Sequence, residues 1–296
     1  MKIGIMTVNN FDFHPNSRFR AEAEKKGHKI LLIDPYGMGC VLDQTIGPAI
    51  FMDKDERLPD LVMPRQGSPM GEYGFVLLGQ FAALGIPLFN SLEGVMIARN
   101  QYISLQQLLR AGLPIPKSFF VTCKSMFFKS IERLGGFPVV AKQVDGMGGD
   151  GVAMLTCDQD AADFMASNFL AQKGVVVQSF IDHVKALRVL VTGNTIAAAM
   201  ALTPAPGEFK ANIHQQASAC EFDLPESMAK IAVAAARACS LEIAGVDMIL
   251  TPDHGVKVLE VNYSPGFRGL EGATRKNIAG QILDHVLSLT ETPDLP

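Results

Sequence analysis

Cysteine is scarce and unpatterned. Cys40, Cys123, Cys157, Cys220 and Cys239 are odd in number, far apart and include no Cys-x-x-Cys pair. That pattern excludes a disulfide framework and a thiolate zinc site, and it fits a reducing cytoplasm. The six histidines include no His-x-x-x-His pair, so no metal role follows for them. Long apolar runs are missing too: the opening Met1–Met6 stretch is polar again by Asn9-Asn10, too short for a signal peptide, and no later stretch would span a bilayer. A basic excess is absent, and the net charge of -4 with a pI near 5.9 argues against a general nucleic-acid binder. No glycine fingerprint follows the first strand, where the residues are Thr7-Val8-Asn9-Asn10-Phe11, which disfavours a dehydrogenase-like module. Gly-Lys-Ser/Thr is lacking, so there is no Walker loop, and no local Ser, Thr or Cys nucleophile motif is present.

What is there is a chain of 296 residues, 48% hydrophobic and 19% charged, long enough to bury a substantial core in two or three lobes. Lys2–Val8 reads as a buried strand, Ser17–Lys26 as a helix ended by Gly27, and Lys29–Ile33 as a second strand. Leu61–Met63 and Pro87–Phe89 read as further strands, with a helix over Tyr73–Leu84 between them. Residues 1–90 thus form a small parallel α/β lobe, with a boundary near Asn90-Ser91. Beyond it, a helix over Gln101–Ala111 stops at Gly112 and the Pro114/Pro116 pair, and Ser118–Val121 resumes as strand. Val139–Gln143, Val152–Leu155 and Val175–Phe180 read as strands, with a helix over Asp158–Leu170. Arg188–Val191 and Thr195–Leu202 form a hairpin across Gly193-Asn194. Helix Glu226–Cys239, strands Ala244–Leu250 and Val256–Val261, and helix Ala273–Leu287 complete the reading, with Glu291–Pro296 as a loose tail.

Three constellations carry chemistry. In the first, a turn centred between Asp253 and His254 places Asp247 directly opposite Glu260, and Asn262 shares that face because side chains alternate with period two. Two carboxylates and an amide oxygen converging from apolar strands suit a hard cation such as magnesium, bound together with nucleotide phosphates. The bland alternative is a solvated outer hairpin face. In the second, Lys142 ends a buried strand and is followed by Asp145-Gly146-Met147-Gly148-Gly149-Asp150-Gly151, whose glycines let backbone N–H groups approach phosphates. A plain hairpin turn would use the same residues. In the third, the strand end Val177-Gln178-Ser179-Phe180-Ile181 offers its backbone to an adenine edge. Arg188, Lys210 and Asn212 are candidates to face a transferred phosphoryl group, where fixed cations spread developing charge; as surface charges they are unremarkable.

Taken in order, Lys142, the Gly-rich loop, Gln178-x-Phe180-Ile181, Arg188, Lys210-x-Asn212, Asp247 and Glu260-x-Asn262-x-Ser264-Pro265-Gly266 resemble the ATP-grasp ligases. Within them the chain is most similar to RimK-type α-L-glutamate ligases, a resemblance that also covers Pro64-Arg65-Gln66-Gly67, Ile97-Ala98-Arg99 and Ser104-Leu105-Gln106. It extends from about Asp60 to Gly280, and Glu-Val-Asn-x-Ser-Pro-Gly is its most specific part. The resemblance implies a pre-ATP-grasp domain over residues 1–90 and an ATP-grasp domain over 91–296, with nucleotide between α+β subdomains of about 91–180 and 181–290. It implies Lys142, Gly148 and Gly149 on the phosphates, Gln178, Ser179, Phe180 and Ile181 at the adenine, and Asp247, Glu260 and Asn262 on Mg2+, with Mn2+ as a substitute. Arg188, Lys210 and Asn212 then stand near the reacting phosphate.

The implied reaction is attack of a carboxylate on the γ-phosphate of ATP to give an acyl-phosphate and ADP, followed by attack of an amine. An amino acid such as glutamate is the implied addition, to a small-molecule or protein amine, in a cytoplasmic protein, with a homo-oligomer as the family's assembly. Departures stand beside these matches. Gln101 replaces a nucleotide-contacting lysine, Ala186 a ribose-contacting aspartate, Lys210-Ala211-Asn212 an Arg-Ser-Asn, and His214-Gln215-Gln216-Ala217 a His-Arg-Gly-Gly. They put the substrate in question, and they motivate an alternative in which the chain binds ATP as a regulatory or scaffold subunit without turnover.

Overall fold

The computed structural model describes residues 1–52, 57–65, 71–144, 151–168, 173–203 and 218–291. Strands β1 (Lys2–Met6), β2 (Lys29–Ile33) and β5 (Leu61–Pro64) form a parallel sheet in the order β2-β1-β5, crossed by helix α1 (His14–Lys25). β1 is an almost unbroken apolar run because a parallel strand is covered on both faces. Helix α1 starts one turn earlier than expected, since Pro15 occupies a first-turn position that has no intrahelical use for its missing N–H. Pro87–Phe89 does not become a full strand; Leu88 makes a single parallel bridge to Val62. A hairpin of β3 (Met38–Asp43) and β4 (Gly47–Met52), unforeseen in the sequence, is pinned by helix α2 (Glu72–Ala83). Gln80 of that helix donates to the carbonyls of Val41 and Ala49 at 2.8 and 2.9 Å.

Two helices follow, α3 (Leu92–Arg99) and α4 (Gln101–Arg110), capped by Ser91 and Asn100 side chains that accept from first-turn N–H groups. Gly94 is required where α3 meets the Ser240 turn, because a Cβ there would lie 2.3 Å from the Ser240 carbonyl oxygen. Next come β6 (Ser118–Val121), helix α5 (Lys124–Leu134), β7 (Val139–Gln143), β8 (Val152–Leu155), helix α6 (Asp158–Asn168) and β9 (Val175–Ser179). Their strands make an antiparallel sheet in the order β6-β9-β7-β8.

The last sheet is also antiparallel, β12-β11-β10-β13-β14, built from β10 (Lys185–Thr192), β11 (Thr195–Thr203), β12 (Ser218–Glu221), β13 (Ile243–Leu250) and β14 (Val256–Asn262). Helix α7 (Glu226–Ala238) packs on it through Ala232, Ala235 and Ala236, whose small side chains admit a close approach. The single helix expected over Ala273–Leu287 is two: α8 (Arg268–Thr274) and α9 (Ile278–Glu291). Arg275 between them is left-handed at φ 58°. Asn277 then accepts from the Gly280 N–H, and Glu271 from the Ile278 N–H, restarting the helix. No helix of the described residues is long and apolar enough to cross a membrane.

Two buried apolar clusters each draw on both the parallel sheet and the five-stranded sheet, whereas a third comes wholly from residues between Val121 and Val177. The four-stranded sheet therefore has a core of its own, while Val176 of β9 joins the first of the shared clusters. Asn90 ties the first arrangement together: its side chain donates to the carbonyls of Ile243 and Tyr263 and accepts from the Ile243 N–H, at 2.7 to 2.8 Å. Asn90→Ala would strand three buried backbone groups, each worth about 1–3 kcal/mol when unpaired. Urea unfolding of that variant is expected to show a loss of about 3 kcal/mol or more, whereas a loss under about 1 kcal/mol would contradict the assignment.

Candidate functional site

The four-stranded and five-stranded sheets face one another across a cavity of about 200 Å³. Its apolar lining includes Pro116, Val140, Val152, Leu202, Met248 and Leu259, from both sheets. Gln178, Ser179, Phe180 and Ile181 border it where β9 leaves its sheet. Gln178 is 2% exposed and donates to the Ser118 hydroxyl at 2.8 Å, which fixes the start of that crossover. His183, unremarked in the sequence, lines the same cavity, and its Nδ1 lies 3.1 Å from the Ile181 carbonyl oxygen. Ala186 lines it too, so that departure from the family pattern falls inside the cleft.

Charged groups collect at one side. Lys142 on β7, Arg188 on β10 and Asp247 on β13 all border the cavity. Arg188 pairs with Asp247 in register across β10 and β13, and grips it bidentately, Nε to Oδ1 at 2.8 Å and Nη2 to Oδ2 at 2.6 Å. That carboxylate raises the Arg188 guanidinium above the ordinary arginine value against the cost of burial. Lys142 is only 7% exposed; burial lowers its ammonium below the usual lysine range, opposed by the negative charges of Glu260 and Asp247. Burial and the Asp247 charge raise Glu260 above the usual glutamate range, against Lys142, Arg188 and a hydrogen bond from Asn262.

Asp247 does lie opposite Glu260, but not because the turn is centred as the sequence suggested. Near the turn Met248 pairs with Val258 and Leu250 with Val256, one residue out of the expected register. An irregularity between Asp247 and Met248, with Leu259 as the extra residue, restores the Asp247–Glu260 and Gly245–Asn262 pairings. Sequence reasoning thus brought Lys142, Gln178–Ile181, Arg188, Asp247, Glu260 and Asn262 to one region, and the structure assembles them there. Gly148, Gly149, Lys210 and Asn212 lie outside the described residues.

Among the described residues no three His, Cys, Asp or Glu side chains converge as a metal cage. The donor set is two carboxylates and the amide of Asn262, all oxygen, beside two fixed cations. It fits magnesium, which keeps waters and shares phosphate oxygens rather than filling its shell from the protein. Because its carboxylate form is the disfavoured one, Glu260 costs nothing below its ordinary value of 4.5, and the penalty grows as pH rises through the elevated folded value. In metal-free buffer Glu260→Gln is therefore expected to melt like the wild type near pH 3.5 and at a higher temperature near pH 8. A lower melting temperature at pH 8 would contradict this electrostatic account.

Comparison with known proteins agrees with this geometry. Residues 1–95 match the RimK PreATP-grasp domain and residues 98–286 the RimK-like ATP-grasp domain. A probable alpha-L-glutamate ligase of Legionella pneumophila strain Corby is 33% identical over 97% of this chain and 95% of its own. One of Vibrio parahaemolyticus is 34% identical over the same shares. The ATP-grasp ligase PsnB, solved with a phosphomimetic variant of its minimal precursor, Mg and ADP, has the same fold at a TM-score of 0.74 and 18% identity, over 98% of each chain. The chain belongs to the RimK-like ATP-grasp family, the ATP-dependent ligases that form carbon–nitrogen bonds.

Proposed function

We propose that this chain activates a carboxylate with ATP as an acyl-phosphate and joins it to an amine, with an amino acid such as glutamate as one partner. The observation that carries the reading is the convergence of Lys142, Arg188 and Asp247 on one cavity with the Gln178–Ile181 crossover, in a chain of this family. The adenine ring fits between the apolar walls, with its polar edge against the backbone of Gln178, Ser179, Phe180 and Ile181. Lys142, with Gly148 and Gly149, holds the phosphates. Arg188, Lys210 and Asn212 steady the phosphoryl group as the substrate carboxylate attacks it in line.

Asp247, Glu260 and Asn262 would hold magnesium, with manganese as a substitute. Held there, the ion would supply positive charge against the charge that builds up on the phosphates during transfer. The Arg188 grip on Asp247 has two effects in this scheme: it presents the carboxylate oxygens in a fixed plane, and it keeps a cation beside the reacting phosphate. Glutamate enters through the relatives, which are named for it. A peptide tail is the second acceptor class to offer, because the structural neighbour PsnB was solved with its precursor.

The test is magnesium-dependent ADP release from the purified chain, supplied with ATP, glutamate and a panel of small amines, carboxylates and peptide tails. Release is expected only with both partners present, and Asp247→Asn or Glu260→Gln should abolish it. Arg188→Ala should slow it on the order of 100- to 1000-fold, as removal of one preorganised charge does at comparable sites. Wild-type rates in these variants would contradict the site. Nucleotide binding without release across the panel would favour the regulatory alternative, which Ala186 inside the cleft motivates.

A further inference from the structure

Away from that cleft, polar atoms without partners are concentrated in one place. Among the described residues, the buried side-chain nitrogen and oxygen atoms lacking any hydrogen bond are Nε and Nη1 of Arg65, Oδ1 of Asn16 and Nδ1 of His14. Arg65 and His14 both abut Phe267, and Asn16 is on the helix that carries His14 and Phe19. Arg65 stands at the carboxyl end of the parallel sheet, one residue past β5, with its guanidinium 5.6 Å from the Phe19 ring and 5.9 Å from the Phe267 ring. The His14 ring meets Phe267 edge-on at 5.6 Å. Asn16 lies one helical turn before Phe19 on α1.

Arg65 is 7% exposed and, among the described residues, makes one hydrogen bond, from Nη2 to the Pro265 carbonyl at 2.6 Å. No carboxylate of the described residues offsets its charge, and burial pushes the guanidinium down to about 10, countered only by Tyr263. A buried cation without a counter-ion is costly, so a fold that keeps one is poised to receive an anion. The remaining atoms are of the opposite kind. Asn16 spends both amide hydrogens on the carbonyls of Asn9 and Asn10, which leaves its oxygen as a bare acceptor. Burial lowers His14 below the usual histidine value, and its Nε2 faces Glu271 at 3.3 Å. A neutral ring donating from Nε2 leaves Nδ1 as a second acceptor.

We propose that this group of side chains is a recognition site for the amino-acid substrate, with a carboxylate held by Arg65 and N–H groups of the same molecule received by Asn16 and His14. The proposal rests on the ligase reading above. It places the site at the carboxyl ends of parallel strands, where open α/β sheets bind ligands, and beside Pro265, three residues beyond Asn262. Arg65 acts here as a specificity-determining residue: a ligand whose carboxylate is replaced by an amide leaves the guanidinium unpaired, a far larger penalty than the loss of one neutral contact. All four atoms are shielded from solvent, so a ligand reaches them only if neighbouring side chains move aside.

Calorimetric titration of the full chain with L-glutamate, in the presence of ADP and magnesium, tests the assignment. Saturable binding is expected, weaker by about 10- to 100-fold for either L-glutamine or the α-amide of glutamate, whichever lacks the recognised carboxylate. Arg65→Gln should weaken glutamate binding by the same factor while ADP affinity changes less than twofold, and Arg65→Lys should recover part of it. The melting temperature of ligand-free Arg65→Gln should match or exceed that of the wild type, because an uncompensated buried charge has been removed; a large drop would make Arg65 a structural clamp and overturn the proposal. Unchanged glutamate binding by Arg65→Gln overturns it, as does a loss confined to ADP, which would make phosphate the anion. A wild-type chain that binds ADP but not glutamate overturns it as well. One that binds no nucleotide overturns the ligase reading and this proposal together.

Discussion

The pairing of Arg188 with Asp247, flanked by Lys142 and Glu260, is the interaction on which the arrangement of the molecule turns. Two cations and two carboxylates meet from four strands in two different sheets, with Lys142 buried and Arg188, Asp247 and Glu260 partly so. The anchor of this cluster is the bidentate Arg188–Asp247 pair, at 2.6 to 2.8 Å; removing either of these two leaves the other's charge unmatched. Its residual imbalance is informative. Glu260 is held above its usual range and Lys142 below theirs, so each is less than fully matched by the protein alone. Anionic phosphates for the lysine and a divalent cation for the glutamate are the partners of matching sign.

The distribution of apolar cores explains why that cluster sits at a seam. The parallel sheet and the five-stranded sheet share their buried clusters, and polar contacts reinforce the union: Arg18 reaches Glu271 at 2.9 Å and Asn277 at 2.8 Å, and Asn90 clips the start of β13 to Tyr263. The four-stranded sheet, with a core of its own, meets this body across the cavity. A ligand in the cavity touches both parts, so binding free energy is available to fix their relative placement.

Much of the site was legible because its residues sit on regular strands. Period-two alternation placed Glu260 and Asn262 on one face, and the apolar runs around Lys142 and Asp247 marked buried strands. The Asp247–Glu260 pairing, however, was reached through a turn position that is one residue out, and the irregularity at Leu259 that restores it leaves no trace in the pattern of apolar residues. The β3–β4 hairpin escaped notice because Leu42, Ile46 and Phe51 are exposed, so its alternation does not report a buried face. The break between α8 and α9 was signalled by Asn277, a good cap, but hidden by apolar spacing that runs on through it. Arg65 was legible as part of a motif; its burial was not, since its hydrogen-bond partner among the described residues, Pro265, is 200 residues away in sequence.

The most direct test of the central claim, that the charge cluster is a magnesium–nucleotide site, is titration of ADP into the wild-type chain with magnesium and with a chelator in its place. Tighter binding with magnesium, and loss of that difference in Asp247→Asn, is the result this account predicts. Equal binding in both buffers would contradict it, because Asp247 and Glu260 would then have no cation to serve and Arg188–Asp247 would be a structural ion pair only.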